Sequence, residues 1–111
     1  MDLVSTPHRD EVWLIRLDPS LGAEIRKTRP CLVISPDEMN EPLHTVLVAP
    51  MTTAIRNYPT RVSLKFQGKT GQIALDQLRA VDRERLVRKL GTVPARIGEE
   101  VSSVLLEIFA R

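Results

Sequence analysis

The stretch EVWLIRLDPSLGAEIRKTRPCLVIS, Glu11 to Ser35, decides the fold. It opens with EVWLIRL (Glu11–Leu17), an alternating run rich in β-branched and aromatic residues, which reads as a strand. That strand stops at DPSLG, where Asp18, Pro19, Ser20 and Gly22 are turn formers. The stretch closes with CLVIS, a continuous apolar segment ended by Pro36 that reads as a buried strand. Between the two strands lies a loop of roughly ten residues, longer than a usual hairpin connection and of the kind that carries function. This loop crowds Arg26, Lys27 and Arg29 at the mouth of the second strand, opposed only by Glu24.

Working outward, PDEMNEP reads as a turn or a single helical turn, and HTVLVAP (His44–Pro50) as a second buried strand. The polar loop MTTAIRNYPT follows, then RVSLKF, a turn at Gly68, TGQIAL, QLRAV, the polar DRERL and a last short strand, VRKLGTV. Six or seven short strands separated by turn signals predict a small barrel. After Pro94, a residue suited to a first helical turn, Ile97, Val101, Val104, Leu105, Ile108 and Phe109 recur at steps of three and four. They predict one amphipathic helix over about 94–110, packed by that face on the barrel. The expected fold class is mainly β with a C-terminal α-helix. No repeat, linker or low-complexity segment divides the chain, so 1–111 reads as one domain with a flexible N-terminus over about 1–9.

Composition excludes several classes. A chain of 111 residues with 42% hydrophobic content can bury a core without staples. No apolar run approaches the ~20 residues that cross a bilayer. MDLVSTPHRDE has no basic region followed by an apolar core, so no export signal is read and a cytoplasmic address is expected. Cys31, the single cysteine, lies in an apolar run with neither His8 nor His44 adjacent in sequence, and reads as a buried, inert thiol. The glycines at 22, 68, 71, 91 and 98 match neither phosphate-loop nor dinucleotide spacing. Two histidines and one cysteine supply no zinc set, and Asp37, Glu38 and Glu41 lack the alternation of a calcium loop. Any catalysis is therefore expected to need no metal and no cofactor.

The net charge of +2 and pI near 9.0 permit a nucleic-acid partner without requiring one. Arg79, Arg83, Arg85, Arg88 and Lys89 form a second basic cluster, diluted by Asp76, Asp82 and Glu84. Arg29 precedes Pro30, which biases it toward extended backbone, while the apolar run beyond anchors it. Its planar fork suits bidentate contact with phosphate. Thr52 and Thr53 follow TVLVAP directly, so if the two strands pair, guanidinium and hydroxyl converge on one phosphate. A basic loop is also commonly a solvated face, and paired threonines commonly serve local turn bonding. Among the aromatics, Trp13 and Phe109 read as core, whereas Tyr58, before Pro59 in a polar loop, reads as a stacking platform for a base.

From Glu11 to the helix the chain resembles the MazF/PemK/Kid family of toxin endoribonucleases. The matching segments are EVWLIRLDPSLGAEIRKTRPCLVISPDEMN, TVLVAPMTT, YPTRVSL, GQIALDQLRAVDRERL and LGTV. The resemblance implies a homodimeric, SH3-like barrel of the CcdB/PemK type that cleaves single-stranded RNA, often at short preferred sequences, without metal. It also implies silencing by a cognate antitoxin. Cleavage would proceed by attack of the ribose 2'-hydroxyl on phosphorus, giving 2',3'-cyclic phosphate and 5'-hydroxyl ends. The family's arginine before proline falls on Arg29 and its threonine after the strand end on Thr52, the catalytic candidates. Its loop acid falls on Glu24 and its DQ pair on Asp76 and Gln77, assigned to substrate positioning. Arg26, Lys27, Thr53, Arg56, Tyr58 and Lys69 complete the expected RNA contacts. Ala23 and Ala74 stand where the Kid branch carries histidine and arginine, so an acid–base scheme built on that pair does not transfer. Two rivals share the barrel: a non-catalytic toxin of the CcdB type, and a plain nucleic-acid-binding barrel.

Overall fold

A computed structural model describes residues 6–111. Seven strands, β1 (Glu11–Arg16), β2 (Thr28–Val33), β3 (Thr45–Thr52), β4 (Arg61–Phe66), β5 (Lys69–Ala74), β6 (Arg79–Asp82) and β7 (Leu86–Thr92), form one antiparallel sheet. A single helical turn, α1 (Asp37–Asn40), links β2 to β3, and the chain closes with the helix α2 (Ala95–Phe109). Strand order is β4-β5-β3-β2-β1-β7, with β6 also on β3. The result is mainly β with a C-terminal helix, as expected, and the small barrel predicted is a half-barrel of antiparallel strands. β3 is its hub: Thr45 to Val48 pair with β6, Met51 and Thr52 pair with β5, and β2 runs along the opposite edge.

The central strands read as continuous apolar runs because both of their faces are covered. Val12, Leu32 and Ala49 point into a core roofed by Ile97 and Val101 of α2. Trp13, Ile15, Cys31, Val33 and Val48 point into a second core on the other face. The open sheet is drawn toward closure by the β4–β5 hairpin, whose turn places Gln67 and Gly68 at positive φ. Gln67 Nε2 donates to the Leu90 carbonyl at 2.9 Å, and the Phe66 ring lies over Gly91, where a Cβ would stand 3.2 Å from Phe66 Cζ.

Several elements depart from expectation. β2 starts at Thr28 rather than Cys31 and β3 runs to Thr52 rather than Pro50, because both ends have ladder partners, Arg29 against Ile15 and Thr52 against Gln72. Of QLRAV, only Arg79 onward is strand; Leu75–Gln77 is a 3-10 turn. Phe109, expected in the core, is 68% exposed, and Leu106 beside it 72%. The first turns of α2 supply its buried residues, Ile97, Gly98 and Val101, while the last turn lies beyond that cover. Residues 1–5 of the expected flexible N-terminus lie outside the described residues. Pro7 is buried, and the His8 and Arg9 backbone amides donate to Glu11 and Asp37 carboxylates. No helix among the described residues is long and apolar enough to cross a membrane.

Candidate active site

Two catalytic candidates lie on adjacent, antiparallel strands. The β2–β3 ladder ends with Cys31 opposite Pro50, and Arg29 and Thr52 lie two residues beyond that pair on their own strands, paired with Ile15 and Gln72 respectively. Both side chains line one hollow of about 260 Å³, with Thr53, Lys69, Phe66, Gln67, Gly71 and Gln72 on its other walls. Arg29 is partly buried and its Nε donates to the Arg26 carbonyl at 2.9 Å. One edge of the guanidinium is thus spent on holding its orientation, leaving both terminal nitrogens to an anion. The Thr52 hydroxyl accepts the Ala54 N–H at 3.1 Å, which leaves its own hydrogen to donate.

Backbone packing holds Thr52 in place. Gly71 of β5 lies so close that a Cβ there would stand 2.7 Å from the Thr52 carbonyl oxygen, a distance only glycine permits. Cys31 is buried beside the hollow, its thiol pushed up to about 12 chiefly by that burial, against the pull of Arg29 and Arg79. It is the inert thiol that the sequence predicts. The hollow's lining contains neither histidine nor carboxylate. Among the described residues no three histidine, cysteine, aspartate or glutamate side chains group as a metal site.

Of the other expected contacts, Thr53 and Lys69 line this hollow, and Glu24, Asp76 and Gln77 line a second, of about 360 Å³, with Ala23, Leu78 and Arg79; Arg26, Lys27, Arg56 and Tyr58 line neither. Glu24 there turns back on its own loop and accepts the Leu21 N–H. Gln77 clamps the basic loop by accepting the Ile25 N–H at 2.8 Å and donating to the Ala23 carbonyl at 3.2 Å. Asp18, accepting the Lys27 N–H, and Arg79, donating to Ser20 Oγ, hold the loop's base. Lys27 sits in the left-handed region at φ 72°, and Arg26 is exposed with Nη2 on the Gly22 carbonyl.

Asp76 is held by Arg61 through Nε to Oδ1 at 2.8 Å and Nη2 to Oδ2 at 3.4 Å, and by Thr60 Oγ1 at 3.1 Å. Burial pushes its carboxyl upward, but the Arg61 and Thr60 contacts prevail and hold it below the ordinary range. Arg61 also lies under Tyr58, its guanidinium carbon 5.2 Å from the ring centroid. Arg56 is exposed and its backbone is gripped at both groups by the buried Gln72, which accepts its N–H at 3.0 Å and donates to its carbonyl at 3.1 Å.

Sequence reasoning missed Arg61, Gly71 and Gln72. Two signals were present: an isolated glycine inside a strand pattern marks close backbone approach, and a glutamine inside an apolar run needs buried partners. For Arg61, the first residue of a strand after a polar loop, no pattern distinguished it from a solvated arginine.

Residues 8–109 match the model of the PemK-like, MazF-like toxins of type II toxin-antitoxin systems, and the chain belongs to that family. It is 36% identical over 103 residues to endoribonuclease PemK of Escherichia coli, covering 87% of this chain and 77% of PemK. It is 35% identical over 85 residues to the endoribonuclease toxin MazF of Escherichia coli strain K12, covering 76% of each. Among solved structures, MazF from Deinococcus radiodurans superposes with a TM-score of 0.86 at 27% identity, covering 97% of this chain and all (100%) of that one. A MazE–MazF structure from the same organism gives 0.78 at 28% identity, over 95% of this chain and 96% of that one.

Proposed function

We propose that this chain is the RNA-cleaving toxin of a toxin–antitoxin module, a sequence-selective endoribonuclease acting on single-stranded RNA in the cytoplasm. The observation that carries the proposal is that Arg29 and Thr52, on neighbouring strands, line one hollow. In the step we assign, the ribose 2'-oxygen forms a bond to phosphorus and the bond from phosphorus to the 5'-oxygen breaks. The 2'-hydroxyl loses its proton and the departing 5'-oxygen gains one, leaving a 2',3'-cyclic phosphate and a 5'-hydroxyl. Arg29 presents its free terminal nitrogens to the charge that grows on the non-bridging oxygens, and Thr52 donates its hydroxyl hydrogen to one of them. Arginine stays protonated and threonine is a poor base, so neither carries the proton. With Glu24 turned onto its own loop, water or the substrate itself is the carrier.

Lys69 and Thr53 line the same hollow and Arg26 and Lys27 border it in sequence, so they serve the RNA backbone. Gln77 acts by fixing the basic loop. The partner we assign is a cognate antitoxin, a proposal supported by the titles of the MazE–MazF structures similar to this one. A homodimer is supported by the exposed Leu106 and Phe109 at the rim of an apolar groove of about 380 Å³ that also takes in Ile34. Family membership favours the nuclease over a non-catalytic toxin of the CcdB type or a plain binding barrel.

Purified protein incubated with mixed-sequence single-stranded RNA in excess EDTA is expected to give discrete fragments with 5'-hydroxyl ends. RNA left intact at high protein concentration overturns the proposal. Arg29→Ala is expected to lower kcat by about a hundredfold or more with the fold retained, measured by single-turnover cleavage and circular dichroism.

A further inference from the structure

Arg61 is a closely enclosed cation. Its side chain is 7% exposed, and each part of the guanidinium is engaged. One edge is locked to both oxygens of Asp76. Nη1 reaches the Ala54 carbonyl and Gln72 Oε1, each at 3.4 Å. One face covers the Tyr58 ring at 5.2 Å, well inside the range of a cation–π contact. Tyr58 itself is 50% exposed, so half of it remains accessible to a ligand beside the Arg61 contact.

We propose that Arg61 is a substrate-positioning residue. Locked to Asp76, it backs Tyr58 as a fixed platform on which an RNA base next to the scissile phosphate stacks. The inference rests on the ribonuclease function proposed above and adds to it the group that holds the base. Three features converge on it. The segment from Thr53 to Thr60 contains no strand or helix, so its shape depends on side-chain anchors at Ala54, Arg56 and Tyr58. Apart from the bond of Ala54 to the Thr52 hydroxyl, those anchors lead to Arg61 or to Gln72, and Gln72 is the ladder partner of Thr52. Asp76, at the other end of the lock, lines the second hollow, so one network borders both hollows along which the RNA would lie. A ring held rigidly costs less entropy to stack upon than a free one, and stacking tolerates any base, which suits a platform flanking the cut rather than one that reads it.

The test uses the full chain and a short RNA with one cleavage site mapped from wild-type digestion. Tyr58→Ala and Arg61→Gln are each expected to raise KM roughly ten- to a hundredfold with kcat changed only a few-fold. The double variant is expected to be no worse than Tyr58→Ala alone within about twofold, since Arg61 acts through the ring. Losses that multiply, or KM unchanged in either single variant, overturn the inference. Arg61→Lys, which keeps the charge and loses the fork, is expected to fall between wild type and Arg61→Gln. Should Arg61→Gln fail to fold, Asp76→Asn loosens the lock and is expected to shift KM in the same direction by less. Independently, an RNA with a 2'-deoxy residue at the cleavage site and 2-aminopurine beside it is expected to be quenched by wild type and not by Tyr58→Ala. Equal quenching by both overturns the platform. Wild-type protein that cleaves while the variants match its KM sinks only this inference; wild-type protein that cleaves nothing sinks the ribonuclease reading with it.

Discussion

At the scale of single residues, the site depends as much on an absent side chain as on the reactive ones. β5 packs this closely on the Thr52 backbone only because Gly71 carries no Cβ. In Gly71→Ala the new carbon would meet a backbone oxygen at 2.7 Å, and a backbone, unlike a flexible side-chain tip, cannot swing away. We expect a loss of about 1–3 kcal/mol in stability from overpacking, read from thermal or urea melts. Cleavage should fall by about tenfold or more, because the displaced atom belongs to Thr52 itself. Gly22→Ala is the control: its φ of 56° carries strain but no atom lies within 4 Å, so stability falls by about 1 kcal/mol without displacing the hollow. Arg29 and Thr52 were legible as residue types from the sequence. Gly71 and Gln72 were visible only as irregularities in a strand, since what they touch is fixed by the β3–β5 register.

At the scale of elements, α2 shows one helix whose apolar stripe has two fates. Ile97 and Val101 roof the core, whereas Leu106, Ile108 and Phe109 stand in solvent in the single chain. Ile97→Ala should cost about 2–5 kcal/mol, measured by chemical denaturation. Phe109→Asp should leave the monomer's stability within about 0.5 kcal/mol. In sedimentation velocity the same variant is expected to move a dimer toward monomer; an unchanged sedimentation coefficient would remove the groove beside α2 from any dimer interface. Helical periodicity predicted the extent of α2 closely, yet it does not record where the sheet beneath it ends. That is why Phe109 was misplaced in the core.

At the scale of the whole molecule, acid sensitivity follows from carboxylates tied to distant parts of the chain. Glu11 in β1 accepts from the His8 amide and the Trp13 indole and pairs with Lys89 of β7 at 3.0 Å. Burial alone would raise its carboxyl, but these three contacts together hold it below the ordinary range. A depressed folded value contributes stability above the unfolded value of about 4.3 and loses it as the pH falls further. Asp76 acts in the same direction, while Asp10, raised by burial, acts against it. Thermal midpoints should therefore decline as pH falls from about 5 toward 3, and Glu11→Gln should decline less steeply while starting about 1 kcal/mol less stable at neutral pH. The sequence by itself determined the strand pattern and the C-terminal helix, which follow from local periodicity and turn chemistry, while the family and the choice of Arg29 and Thr52 as candidates rested on the resemblance of whole segments in their order. Only the tertiary structure decided that Arg29 and Thr52 share a hollow, that Asp76 is the counter-ion of an arginine whose side chain is enclosed, and that the end of α2 stands free. Those outcomes depend on register and on which surfaces meet, and both are set by contacts between residues far apart in the chain.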